Sequence, residues 1–117
     1  MNEYNHDFWK MIDKLFTKYV IVIDRPKGSV HPKYSDYVYP LDYGFLKGTV
    51  SSDGSGIDVW VGSNDKKCVS AIISSVDIVK GDSEIKLLYA CTEDEIEMIY
   101  QDHNRTDGMK GILTIRV

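Results

Sequence analysis

Hydrophobic residues change spacing along the chain, and each change marks an element. Phe8, Met11, Ile12, Leu15, Phe16 and Tyr19 recur every three or four positions, which predicts one apolar stripe on a helix. Lys10, Lys14 and Lys18 sit on another face, and Asn5 is placed to cap the start. Residues 20–23, Val-Ile-Val-Ile, read as a short buried strand. From Arg25 to Ser55 the periodicity breaks, with Pro26, Pro32 and Pro40 among many Tyr, Asp, Gly and Ser residues. Such a stretch is functional or disordered, and its tyrosines (Tyr34, Tyr37, Tyr39, Tyr43) argue against disorder. Strands are expected again at 57–61, 69–74, 77–79 and 85–89, with turn signals at 62–65 and 80–83. Thr92 and Glu95 form a capping-box pattern that opens a second helix, with Ile96, Ile99, Tyr100 and His103 on one face. The chain closes on a strand with Leu113, Ile115 and Val117 on one side. The pattern predicts an α+β, mainly β domain: a closed or partly open barrel with helical cover.

Composition narrows the class. At 117 residues with 43% hydrophobic side chains, the chain has material for one domain with a core, and 1–117 is read as that single domain. A charged fraction of 27% and a net charge of -4 exclude intrinsic disorder. The longest apolar run, 19–23, is far below the ~20 residues of a membrane span. Residues 1–7 lack the basic-then-apolar order of a signal peptide. Cys68 and Cys91 have no metal-ligand spacing and read as free thiols of a cytosolic protein. The acidic balance argues against nucleic acid, whose phosphates require Lys and Arg.

Four segments carry candidate chemistry. In Asp53-Gly54-Ser55-Gly56-Ile57-Asp58, two aspartates flank a glycine-rich turn. Both could converge on one hard cation such as magnesium, which keeps several waters and needs few carboxylates; on spacing alone a plain hairpin turn fits better. Residues 24–33 put Asp24, Arg25, Lys27 and Lys33 at the exit of a strand. That suits phosphate oxygens, or a solvated loop. Glu84 and Lys86, two apart on a strand, point to one side, for a metal and a phosphate or for a surface ion pair. His103-Asn104-Arg105 ends the second helix, as a polar terminus or as an anion contact. There is no Walker-type GxxxxGK[ST] and no GxGxxG.

The order of these segments matters. Val22-Ile23-Asp24-Arg25-Pro26, His31-Pro32-Lys33, Tyr39-Pro40-Leu41-Asp42-Tyr43-Gly44-Phe45 and Asp53-Gly54-x-Gly56-x-Asp58-Val59 together resemble the soluble inorganic pyrophosphatase family, above all its short, compact branch. The resemblance is strong over 20–61 and loose over 77–105, and the first helix, 1–19, looks like an addition. It implies a distorted five-stranded barrel of oligonucleotide-binding topology flanked by helices. It implies Mg²⁺-dependent hydrolysis of pyrophosphate to two phosphates, in a cytoplasmic homo-oligomer; from the charge balance and the short apolar runs, no nucleic-acid or membrane partner is expected. By position, Asp53 and Asp58 resemble metal ligands beside the attacking water, and Tyr43 the phenol of the catalytic cluster. Asp24 takes the place of an outer carboxylate, Glu84 of a metal-binding aspartate, and Asp77 of a further metal carboxylate. Lys33 and Lys86 stand for substrate lysines, and His103-Asn104-Arg105 resembles a His-Tyr-Lys phosphate clamp, so Asn104 and Arg105 become substrate contacts. Two departures stand out. Ser55 occupies the place of a middle acid, the residue assigned as general base, and a segment with an acid and an arginine before the Tyr-Pro block is shortened. Two other readings follow: a module that binds a phosphorylated ligand or metal without turnover, and a single-strand nucleic-acid barrel suggested by topology and tyrosines.

Overall fold

The computed structural model describes residues 4–116. Their order is α1 (Asn5–Lys18), β1 (Val20–Arg25), β2 (Asp42–Lys47), β3 (Ile57–Val61), β4 (Val69–Asp77), β5 (Asp82–Tyr89), α2 (Glu93–Asp102) and β6 (Met109–Ile115). The strands form one sheet in the order β1-β2-β3-β5-β4-β6, antiparallel except for the β3–β5 pair. The fold is mainly β, as expected, but with six strands instead of five. Among the described residues no pairing joins β1 to β6, so the sheet is open. The expected 69–74 strand runs on as β4 to Asp77, because Ser74, Ser75 and Val76 keep their pairing with both neighbours, whereas Ile78 and Val79, expected in a strand, lie in the turn before β5. Val117 lies outside the described residues.

Opposite residues in paired strands share a face, so the register sorts the sheet into two sides. One side carries Tyr43, Trp60, Leu88 and Ala71 in one row and Phe45, Asp58, Lys86, Ile73 and Leu113 in the next. Ile96 and Ile99 of α2 pack there with Trp60, Ala71, Ile73 and Leu88. The other side presents Leu46, Val59, Leu87 and Ile72, which pack with Trp9 and Ile12 of α1. Tyr43, Asp58 and Lys86 therefore share the α2 side, and α1 covers the opposite one.

Both helices follow from their sequences, with one rotation. Thr92 Oγ1 accepts from the Glu95 N–H while Glu95 returns a bond to the Thr92 N–H, the capping box in full. In α1 the N-cap is Tyr4, not Asn5, and the buried positions are Trp9 and Ile12. Phe8 and Met11, expected in the stripe, are 41% and 64% exposed. The stripe is turned toward Trp9, whose larger indole fills the space over the sheet and carries the Arg116 guanidinium 5.5 Å from its ring.

Gly44 sets how closely the edge strand approaches. A Cβ there would overlap the Val22 carbonyl. The missing side chain lets β1 cross β2 where the register shifts between Ile23 and Arg25, leaving Asp24 in the bulge.

Candidate active site

Lys86 organises the polar cluster. Its residue is only 9% exposed on β5, and its Nζ donates to Asp58 Oδ2 at 2.7 Å, Tyr43 Oη at 2.8 Å and Glu84 Oε2 at 3.1 Å. Strand register makes this possible. Asp58 lies opposite Lys86 across the parallel β3–β5 pair, and Glu84 precedes Lys86 by two on the same face. Tyr43 comes from the neighbouring row on β2. Burial alone would lower the lysine pKa, but the Tyr43 phenol and the Asp58 carboxylate outweigh it and raise it. The ammonium is therefore a fixed positive charge. Burial pushes the Tyr43 phenol well above its ordinary value, so its proton is retained.

Asp53 joins from the 48–56 loop. Gly54, with φ of 84°, turns that loop at a conformation that favours glycine. Asp53 Oδ1 accepts from Ser51 Oγ at 2.6 Å and from the Ser55 N–H at 2.9 Å. Its carboxyl also interacts with that of Glu84, each shifting the other's pKa. The Ser51 bond, then Glu84, then the Ser55 amide hold Asp53 at a pKa of about 2. Burial, then Asp53, moves Glu84 the other way, above the ordinary carboxylate range. Two interacting carboxyl groups resist carrying both negative charges at once, and a cation between them relieves that repulsion.

The remaining candidates go elsewhere. Asn104 donates from Nδ2 to the Tyr100 and Gly111 carbonyls and accepts the Gly111 N–H at Oδ1, which ties the end of α2 to β6. Arg105 is exposed, with its guanidinium 5.4 Å from the Tyr37 ring. Asp77 Oδ1 accepts the Val79 and Lys80 N–H groups of the β4–β5 turn. Lys33 and Asp24 are exposed, and the Lys33 N–H donates to His31 Nδ1. Among the described residues no three of His, Cys, Asp and Glu converge as a ready-made metal cage. The chemistry of the Asp53–Glu84 pair nonetheless suits a hard divalent ion, because magnesium is held by as few as one or two carboxylates.

Sequence reasoning missed several partners. Ser51 fixes Asp53, and a hydroxyl two residues before a loop aspartate is a turn signal that could have found it. Tyr39 stacks between His31 and Tyr43, with ring centroids 6.1 and 5.6 Å away, so the irregular segment reaches the cluster through aromatic packing. Trp60 Nε1 is buried without a hydrogen-bond partner among the described residues, beside Tyr43 and His103. Nothing in the sequence marks it.

No family model matches the chain. Among curated proteins, the inorganic pyrophosphatase of Aeropyrum pernix is 37% identical over 51 residues, 44% of this chain and 29% of that protein. That of Picrophilus torridus is 32% identical over 69 residues, 54% and 39% of the two. The matched stretches thus span well under half the length of either relative. Among solved structures, the inorganic pyrophosphatase of Helicobacter pylori aligns with a TM-score of 0.56 at 17% identity, over 82% of this chain and 83% of that one. That of Thermus thermophilus aligns with a TM-score of 0.56 at 19% identity, over 82% and 81%. Fold and local sequence agree with each other: the chain has the inorganic pyrophosphatase fold, and its partial sequence matches are to inorganic pyrophosphatases.

Proposed function

We propose that the chain hydrolyses pyrophosphate, or another small phosphoanhydride, to two phosphates in a Mg²⁺-dependent reaction without a covalent intermediate. The observation that carries this reading is the gathering of Tyr43, Asp53, Asp58, Glu84 and Lys86, from three separate segments, around one buried ammonium. Asp53 and Glu84 are the pair that would hold magnesium, with Asp58 adjoining and Asp24 and Asp77 as outer carboxylates brought in by resemblance. The metal, when bound, supplies a Lewis acid and an acidified water. The chain's own groups do the rest. Lys86 offers a permanent charge to phosphate oxygens, Arg105 and Lys33 add mobile cations from the surface, and the Tyr43 phenol donates a hydrogen bond. We read 1–117 as one such domain, with 1–19 as an added helical element, working in the cytoplasm as a homo-oligomer without nucleic-acid or membrane partners. The test is phosphate release from pyrophosphate with magnesium. Asp58→Asn should lower the rate by at least tenfold; equal background rates in both proteins overturn the reading.

Ser55 favours a second reading, a module that binds pyrophosphate or metal without turnover. Its exposed hydroxyl supplies no carboxylate, and its amide is already bonded to Asp53. Calorimetric pyrophosphate binding with no phosphate released would select this reading over hydrolysis.

A further inference from the structure

A cavity of about 560 Å³ opens on the α1 side of the sheet, behind the loop that carries Asp53. α1, the loop and strands of the sheet build it. Phe8, Ile12 and Leu15 come from α1, Val50, Ser51 and Ser52 from the loop, and Ser74, Ser83, Ile85 and Leu87 from β4 and β5. Ile12 and Leu87 are 9% and 1% exposed, so apolar surface lies within the concavity. The size and the mainly apolar wall are those of a small-molecule pocket. Two hydroxyls on β4 and β5, Ser74 and Ser83, have no side-chain hydrogen bond among the described residues and can meet a polar head. Among the described residues no Lys, Arg or His lines the cavity, so nothing there pairs with an anionic ligand.

The cavity adjoins the polar cluster through its own wall. Ser51 Oγ donates to Asp53 Oδ1, and Ser52 Oγ donates to the Ser83 carbonyl at 2.7 Å. These two bonds fasten the Asp53 loop over the cavity. A flat protein surface would not reach Ile12 and Leu87, whereas a compact molecule would.

We infer that this cavity is a second ligand site, taking a small, neutral, mainly apolar molecule with a hydrogen-bonding head, and that its occupancy shifts the loop that positions Asp53. Binding stands independently of the hydrolase reading; only a consequence for turnover rests on it.

The probe is N-phenyl-1-naphthylamine, neutral and fluorescent in apolar surroundings, added to the full chain. Saturable binding at one site per chain is expected, with a Kd on the order of 10–100 µM. Two substitutions at exposed wall positions leave the fold intact: Ile85→Trp fills the space, and Val50→Asp adds a negative charge. Each should weaken binding at least tenfold while far-ultraviolet circular dichroism stays unchanged. Amide NMR shifts at Ser51, Ser52 and Asp53 should move on saturation, and that of Leu113, on the opposite face, should not. Absence of saturable binding, or wild-type affinity in both variants, overturns the site. Equal or tighter binding of the sulfonated analogue, 8-anilinonaphthalene-1-sulfonate, overturns the neutral ligand class. Concentration-dependent dimerisation that both variants abolish, with no probe bound, assigns the cavity to a second copy of the chain instead. Unmoved amides at 51–53 overturn the coupling to Asp53 even if the probe binds.

Discussion

Lys86 Nζ lies 2.7 Å from Asp58 Oδ2, a contact between residues directly opposite in the parallel β3–β5 pair. The bond is short because the two Cα atoms are in register, not because two long side chains search for each other at the surface. With the lysine side chain 11% and the aspartate side chain 23% exposed, water screens this pair less than a surface pair. The same ammonium also holds Glu84 and Tyr43, so one side chain fixes the geometry of three others.

Removing that charge should therefore affect stability and chemistry together. Lys86→Met keeps the length of the stem but leaves Asp58 and Glu84 facing each other without a cation. A loss on the order of 2–4 kcal/mol is expected, because breaking a buried ion pair strands its partners. Urea denaturation at pH 7 measures it. Phosphate release should fall to background. A variant as stable as wild type would show that the cluster contributes nothing to folding.

Ser55→Asp returns a carboxylate to the position where the resemblance expects a general base. Residue 55 is exposed, and its amide bond to Asp53 uses only backbone. The substitution should leave stability nearly unchanged and raise phosphate release on the order of 10²-fold, the scale of general-base assistance. Steady-state rates with magnesium decide it; a rate no higher than wild type removes Ser55 as the limiting feature.

Much of this was readable before any coordinates, and the reason differs by element. The α2 capping box and the β-branched strands carry their own local signals, so they were found. The alternation on β5 put Glu84 and Lys86 on one face, but nothing local said that Asp58 would lie opposite them. That depends on the parallel β3–β5 pairing, a long-range choice. The hydrogen bonds of Asn104 have the same kind of origin: they reach Tyr100 and Gly111, and Gly111 arrives only when β6 folds back beside β4. Trp9 was passed over because a stripe drawn through Phe8 and Met11 fits helical spacing almost as well as one through Trp9 and Ile12. Packing volume selects between them.

The Asp53–Glu84 pair gives the protein a pH signature of two opposite signs. Asp53, held at about 2, stabilises the fold fully above the ordinary value of 3.8, and that contribution fades as pH falls toward 2. Glu84 is raised, so the folded state binds its proton more tightly than the unfolded one. Its contribution is present below 4.5 and is lost as pH rises through its folded value. Without metal, thermal stability should therefore decline as pH climbs above 4.5 through this window. Magnesium bound between the two carboxylates should restore it, and Asp53→Asn should abolish the restoration. Melting temperatures against pH, with and without millimolar magnesium, check all three statements. A magnesium effect unchanged in Asp53→Asn would place the ion elsewhere.

Asn104 separates a structural residue from a substrate contact. Its amide satisfies the Tyr100 and Gly111 carbonyls and the Gly111 N–H, so each polar atom of the side chain is engaged in holding α2 against β6. Asn104→Ala leaves those half-buried backbone groups without a partner, at a cost of about 2–3 kcal/mol. Arg105 follows in sequence but is exposed, so Arg105→Ala should cost under about 0.5 kcal/mol. Pyrophosphate affinity should respond in the reverse order: weakened by Arg105→Ala, which removes a cation, and nearly unchanged in folded Asn104→Ala. Chemical denaturation and calorimetry on the two variants give four numbers. Asn104→Ala with wild-type stability and weakened affinity would return Asn104 to the phosphate clamp and remove the role its hydrogen bonds describe.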